Sequence, residues 1–234
     1  YSNCIISKIS ICSAPLLDKI MEVTLPMVAQ FCNDAFTEYT FLSENDQWIL
    51  FRSFQSELFY FEMELRTAKA GLFPINIRQI SCATVVEQIN PDSFFTECLD
   101  IFQRDKSAVM RRFAENNIAV VSKMYIDTLK RLELTSFERS ALVSLSMWTA
   151  DFNLEVAENV YDLCYLMRSK IFKELHVYYT EVQRNYDYAN RIGQLMDVLI
   201  EAKFRTDMMR KEIQVYVLFD ALNNDGAFYS LLRN

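Results

Sequence analysis

The chain has 234 residues, 51% apolar and 24% charged, enough to bury a sizeable core in one compact domain and still dissolve. Three glycines (Gly71, Gly193, Gly226) and four prolines (Pro15, Pro26, Pro74, Pro91) argue against turn-rich sandwiches and barrels, and they leave no glycine loop whose amides could cradle a phosphate. Lys+Arg 24 against Asp+Glu 31 gives a net charge of -7, a field that repels nucleic acid and anionic membrane, and no apolar run approaches the roughly 18 residues of a membrane span.

In chain order, a first helix is expected from about Ala14 to about Phe36. Pro15 suits its first turn and Pro26 should kink it, because proline removes a backbone donor inside a helix. A second helix begins after Ser43, where Ser43-Glu44-Asn45-Asp46 offers the short polar side chains that cap orphan amides. It carries Gln47, Trp48, Leu50, Phe51, Phe54, Leu58, Phe59, Phe61, Met63 and Leu65, apolar on most of its circumference, and belongs in the middle of the domain. Its polar exceptions Glu57, Glu62, Glu64 and Arg66 then need partners, since an unpaired buried charge is costly. Strand character follows at Ala70 to Ile75, where breakers and apolar residues mix, enough for a short hairpin or an extended loop. From Asn90-Pro91-Asp92 the helical pattern returns through Leu232, with breaks around Asn116-Asn117, Leu134-Thr135-Ser136, Thr149-Ala150-Asp151 and Asn223 to Gly226. The spacing of Val160, Leu163, Met167, Ile171 and Leu175 is typical of it.

His176 is the only histidine and sits in a helical stretch, which excludes a histidine-rich zinc site and reads as structural or solvated rather than catalytic. Six cysteines (Cys4, Cys12, Cys32, Cys82, Cys98, Cys164) form no C-x-x-C pair and read as small apolar fillers of a protein in a reducing compartment.

The order of particular residues goes further. Tyr39 to Phe51, with its aromatic, Leu42, Asp46-Gln47 and bulky apolar residues, resembles the signature of nuclear hormone receptor ligand-binding domains. Arg66 falls where that family places an arginine beside a short hairpin, and Leu134 to Trp148 is similar to its eighth helix. Met167 to Tyr179 resembles the ninth helix of the branch expanded in nematodes. Tyr188 to Leu195, Leu218-Phe219-Asp220 and Phe228 to Leu232 are similar to that branch's dimer helix and terminal activation helix. The resemblance implies an all-α fold, a three-layer antiparallel helical sandwich with a short β-hairpin, over residues 1–234 as a single ligand-binding domain. The family's first helix and zinc-finger DNA-binding module are not expected in this chain, and Asp92 to Glu115 is expected to hold an extra helix.

The same resemblance implies three sites. Arg66 either pairs with a ligand carboxylate or serves as internal partner of Glu22, Glu62 or Glu64, with Met21, Leu25, Val28, Phe59, Met63, Phe73 and Met124 lining a ligand pocket or forming ordinary core. Gln47, Trp48, Phe51 and Arg52 border a groove for a coregulator helix. At that groove Asp34 stands in the position of the family's clamping lysine and Ser230 in that of its glutamate. Arg191, Leu195 and Leu199 mark a dimer seam or simple packing onto the ninth helix. The expected function is a non-enzymatic, ligand-regulated transcription factor domain of the nucleus, without cofactor or metal. Its expected partners are a small lipophilic, fatty-acid-like ligand, a coregulator helix, and a second copy or another receptor; neither nucleic acid nor membrane binds through this chain. The alternative is a ligand-independent interaction or dimerisation module with a self-filled pocket, acting as a repressor.

Overall fold

Most of the residues described by the computed structural model, 10–71, 77–81, 84–87, 125–149, 156–218 and 226–227, are helical. A two-residue strand, β1 (Ser10–Ile11), precedes α1 (Ala14–Ala35), whose ends fall within a residue of those expected and which holds Pro26 inside it. A 3₁₀ turn at Thr37–Phe41 leads to α2 (Glu44–Ala70). The entry to α2 is capped as its sequence implies: Ser43 Oγ accepts the Asp46 N–H at 3.2 Å and donates to the Asp46 carboxylate at 2.6 Å. The other Asp46 oxygen accepts the Ala157 N–H at 3.1 Å, so the same residue also holds the start of a later helix. Ser43→Ala should lower the unfolding free energy by about 0.5–2 kcal/mol, measurable by urea denaturation.

Burial on all sides of α2 matches its pattern, with Leu50, Phe51, Phe54, Tyr60, Phe61, Met63 and Leu65 inside. Its charged exceptions have partners. Glu57, buried, accepts a hydrogen bond from Ser146 Oγ at 2.6 Å, and Glu62 lies 3.6 Å from Arg66. Gly71 ends the helix at φ +67, a left-handed conformation that costs glycine nothing.

The strands come later than the expected Ala70–Ile75 window: β2 (Ile77–Gln79) and β3 (Thr84–Glu87) form an antiparallel pair. Residues 72–76 lie outside the described residues. β1 adds to the other edge of β3 in parallel, Ser10 opposite Thr84 and Ile11 opposite Val85, giving the order β1-β3-β2. Nothing in the sequence announces this pairing, because two residues carry no period.

Residues 125–132 form α3, and Glu133 at φ 44 ends it. α4 (Ser136–Met147) opens on a capping box in which Thr135 and Glu138 each bond the other's backbone N–H, at the expected break. α5 (Glu158–Val177) runs on into a π turn (Tyr178–Val182) before α6 (Ala189–Leu218). The break between α5 and α6 has no counterpart in the apolar spacing and was implied only by the family resemblance. The extra helix expected at Asp92–Glu115 and the breaks at Asn116-Asn117 and Asn223-Asp225 fall outside the described residues.

The chain forms two compact units. One comprises Tyr1–Thr24, Phe59–Arg131 and Phe204–Asn234. Its core includes Leu17, Met21, Phe61, Met63, Tyr125, Ile126 and Leu129, with the Arg205 guanidinium 5.8 Å over the Tyr125 ring. Gly226 is buried there against the Asp18 carboxylate, which a Cβ would strike. The other unit comprises Leu25–Leu58 and Leu132–Lys203. At its centre Phe36 meets Phe54 and Trp148 edge-on, with ring centroids 6.0 and 6.1 Å apart.

Candidate ligand, coregulator and pairing sites

In the first unit the end of α2 is tied to the β2–β3 hairpin by two side chains one residue apart. Arg66 Nη2 donates to the Ile80 carbonyl at 3.0 Å, and Nη1 lies 3.6 Å from Glu62 Oε2 one helical turn back. Thr67 Oγ1 accepts the Gln79 N–H at 2.9 Å while donating to the Met63 carbonyl at 2.8 Å. Of the three internal carboxylates considered for Arg66, Glu62 is thus at its side. Met21 and Met63 are buried and Phe59 is half-buried in the same unit. Leu25 and Val28, half-buried, belong to the other unit, and Phe73 and Met124 lie outside the described residues.

In the second unit Trp48 is 50% exposed and stacks on buried Phe51, centroids 6.0 Å apart. Gln47 is taken up by local structure. Its Nε2 donates to the Leu42 and Thr40 carbonyls at 3.0 and 3.3 Å, and its own carbonyl accepts the Tyr39 hydroxyl at 3.0 Å. Asp34 is exposed and accepts a hydrogen bond from Gln30 at 2.8 Å, and Arg52 is half-buried. Ser230 lies outside the described residues. Exposed apolar residues not foreseen as functional sit on α1: Met27, and Phe31, which stacks on Phe54 at 6.5 Å. On α1, Met27 and Asp34 lie well around the helix from buried Leu17, Met21 and Cys32, whereas Phe31 borders that buried face.

Arg191, expected on a dimer seam, turns inward at the start of α6. Its Nε and Nη2 donate to the two oxygens of Glu138 at 2.7 and 2.8 Å, and Nη2 also donates to the Leu132 carbonyl at 2.7 Å. Glu138, buried, further accepts the Tyr179 hydroxyl at 2.6 Å and the Thr135 N–H at 2.9 Å. Burial alone would raise the Glu138 pKa; the hydrogen bonds from Arg191, Tyr179 and Thr135 outweigh it and hold the carboxyl down at about 2. Burial and the neighbouring carboxylate together push the Tyr179 hydroxyl well above its ordinary range. Tyr179 stacks on Tyr188, whose hydroxyl meets His176 Nδ1, so the lone histidine closes this cluster. Leu195 has no exposed surface at all, Leu199 is half-buried, and the neighbouring Ile200 is 67% exposed. Of the three seam residues, Arg191 is engaged with Glu138, Leu195 is fully buried and Leu199 is half-buried.

Among the described residues no group of three His, Cys, Asp or Glu side chains is placed to hold a metal ion, and no helix is long and apolar enough to cross a membrane. Cys12, Cys32 and Cys164 are buried. Burial pushes the Cys12 thiol up to about 11 and that of Cys32 to about 12, so neither supplies a thiolate nucleophile at neutral pH.

The described residues are predominantly helical, with a short sheet fastened to the end of a long buried helix. Residues 16–219 match the family model for the ligand-binding domain of nuclear hormone receptors, and the chain belongs to that family. In fold it is similar to the ultraspiracle ligand-binding domain from Drosophila melanogaster, with a TM-score of 0.57 over 92% of this chain and 79% of that chain at 12% sequence identity. Identity that low speaks for the fold alone. No curated protein sequence matches the chain. The expected fold class is therefore the one found, and the family is one of ligand-regulated, generally non-enzymatic transcription factors.

Proposed function

We propose that this chain is the ligand-binding domain of a nuclear transcription factor of the nematode-expanded branch, regulated by a small lipophilic, fatty-acid-like molecule whose polar end approaches Arg66. Ligand shifts the balance between arrangements that do and do not accept a coregulator helix, and the domain pairs with a second copy or another receptor. The family match over residues 16–219 carries this reading. Half-exposed Trp48 on buried Phe51 supports the coregulator surface, because a supported aromatic can contribute much of a helix's binding energy. Mass spectrometry of organic extracts from the purified domain tests the ligand: a stoichiometric lipid supports the reading, and extracts without one, together with failure to bind added lipid, sink it.

One observation favours the second reading, a ligand-independent repressing module. Asp34 is exposed and negative where a clamping lysine would stand, and it would repel the negative C-terminal end of a bound Leu-x-x-Leu-Leu helix. Such peptides should therefore bind the native domain poorly. Asp34→Lys combined with Ser230→Glu should restore binding measurable in a fluorescence titration, each favourable charge contributing about 0.3–1 kcal/mol. Tight peptide binding by the native domain would show that the groove lies elsewhere.

A further inference from the structure

Among the described residues only two tyrosine side chains are exposed, Tyr165 at 77% and Tyr186 at 80%. They sit on different backbone. Tyr165 lies inside α5, with helical residues on both sides. Tyr186 lies in the connection from the π turn (Tyr178–Val182) to α6, within residues 181–187, the longest run of consecutive exposed residues among those described. The connection turns through Arg184 at φ 51, and the Asp187 N–H donates to Asn185 Oδ1 at 3.0 Å. No described residue bonds the Tyr186 hydroxyl.

The neighbouring tyrosines fix both feet of this loop. Tyr178 stacks on Phe137 with centroids 4.3 Å apart, and its hydroxyl donates to Thr135 Oγ1 at 3.2 Å. Tyr179 stacks on Tyr188 at 5.1 Å, with its own hydroxyl on Glu138 and the Tyr188 hydroxyl on His176 Nδ1. The Asn185 N–H donates to the Tyr179 carbonyl at 2.8 Å, which ties the middle of the loop to the same base. Three phenols are thus spent on holding the loop, and the fourth stands clear of it.

Phosphoryl transfer to a phenol needs its oxygen in line with the γ-phosphate at the bottom of an enzyme's cleft, beside a carboxylate that takes the proton. The residues on either side must enter with it. A helix brings its full width of about 10–12 Å, so Tyr165 reaches such a cleft only if α5 unwinds. Tyr186 is carried by a single exposed stretch of loop.

We propose that the fold presents Tyr186, alone among the described tyrosines, as a phosphorylation site for a protein tyrosine kinase that uses MgATP. The phenol oxygen forms the new bond to the γ-phosphorus as the bond to the β,γ-bridging oxygen breaks. ADP leaves with that electron pair, and the phenol proton passes to the kinase's carboxylate. The added group carries about two negative charges at neutral pH. Arg184 offsets it, Glu181 and Asp187 oppose it, and all three are exposed, so water screens each of them. The phosphate therefore changes the surface ahead of α6 and leaves the stacked rings beneath the loop in place. Nothing in this site depends on Arg66 or on a bound ligand.

The test incubates the intact domain with MgATP and the catalytic domain of a broad-specificity non-receptor tyrosine kinase, beside a synthetic peptide of residues 176–192. Mass spectrometry reads each phosphorylated position over time. In the folded domain Tyr186 should be modified at least about tenfold faster than Tyr165, Tyr178, Tyr179 or Tyr188. In the peptide, where nothing holds the other three phenols of this segment, its lead should shrink to about threefold or less. Tyr186→Phe should remove phosphate from the loop, and the phosphorylated domain should keep the urea midpoint of the native one. No phosphate on Tyr186 of the folded domain, a comparable rate at Tyr165 or Tyr188, or an equal lead in the peptide would overturn the proposal. A lowered urea midpoint would overturn it too, by placing the phosphate against the stacked rings.

Discussion

Glu138→Ala should cost about 3–5 kcal/mol of unfolding free energy, the range for breaking a buried ion pair by removing one partner. The loss is large because Glu138 is 2% exposed and serves three elements together: Arg191 at the start of α6, Tyr179 in the π turn after α5, and its own capping box at the start of α4. Removing it leaves a buried phenol and a helix-terminal amide without their acceptor, and the Arg191 guanidinium with only the Leu132 carbonyl. Chemical denaturation of the native chain and the variant measures it; a change under about 1 kcal/mol would mean that the cluster behaves as an exposed pair.

The same group predicts a pH dependence. Its carboxyl titrates at about 2 in the folded chain against 4.5 ordinarily, so the folded state binds fewer protons than the unfolded chain between those values. The stabilisation is therefore complete above about pH 4.5 and is lost as pH falls through about 2, amounting to roughly 3 kcal/mol at 1.36 kcal/mol per pKa unit. Glu138→Gln should show a flatter decline of stability than the native chain over that window. Parallel curves would assign the acid sensitivity to other carboxylates.

Leu195→Ala should cost about 2–5 kcal/mol, the range for emptying a leucine-sized space in a core, because Leu195 is fully buried within one chain. It should leave any self-association unchanged in the native-state baseline. Leu199→Glu is expected to do the reverse. Half-buried on the same helix next to exposed Ile200, it should yield monomer at micromolar concentration with the fold intact. Sedimentation of both variants against the native chain separates the two effects, and a native domain that is already monomeric would remove the seam from α6.

What the sequence by itself determined is what depends on neighbours in the chain. The extent of α1, the Ser43 cap of α2, the burial of α2 on all sides and the helix start at Thr135 all follow from apolar period and from side chains that bond amides three residues away. Family membership was readable for the same reason, as ordered local motifs. What only the tertiary structure decided involves partners distant in sequence. Arg191 finds Glu138 at a separation of 53 residues, β1 finds β3 across more than seventy positions, and neither has a local signature. The Gln47 amide is hydrogen-bonded to the Thr40 and Leu42 carbonyls of the segment that precedes α2, a pairing set by the backbone path there. On α6, Leu195, Val198, Leu199 and Ile200 are all apolar, so period alone cannot rank them. Packing buries Leu195 and Val198 and leaves Ile200 in solvent, and that choice belongs to the elements the helix rests on.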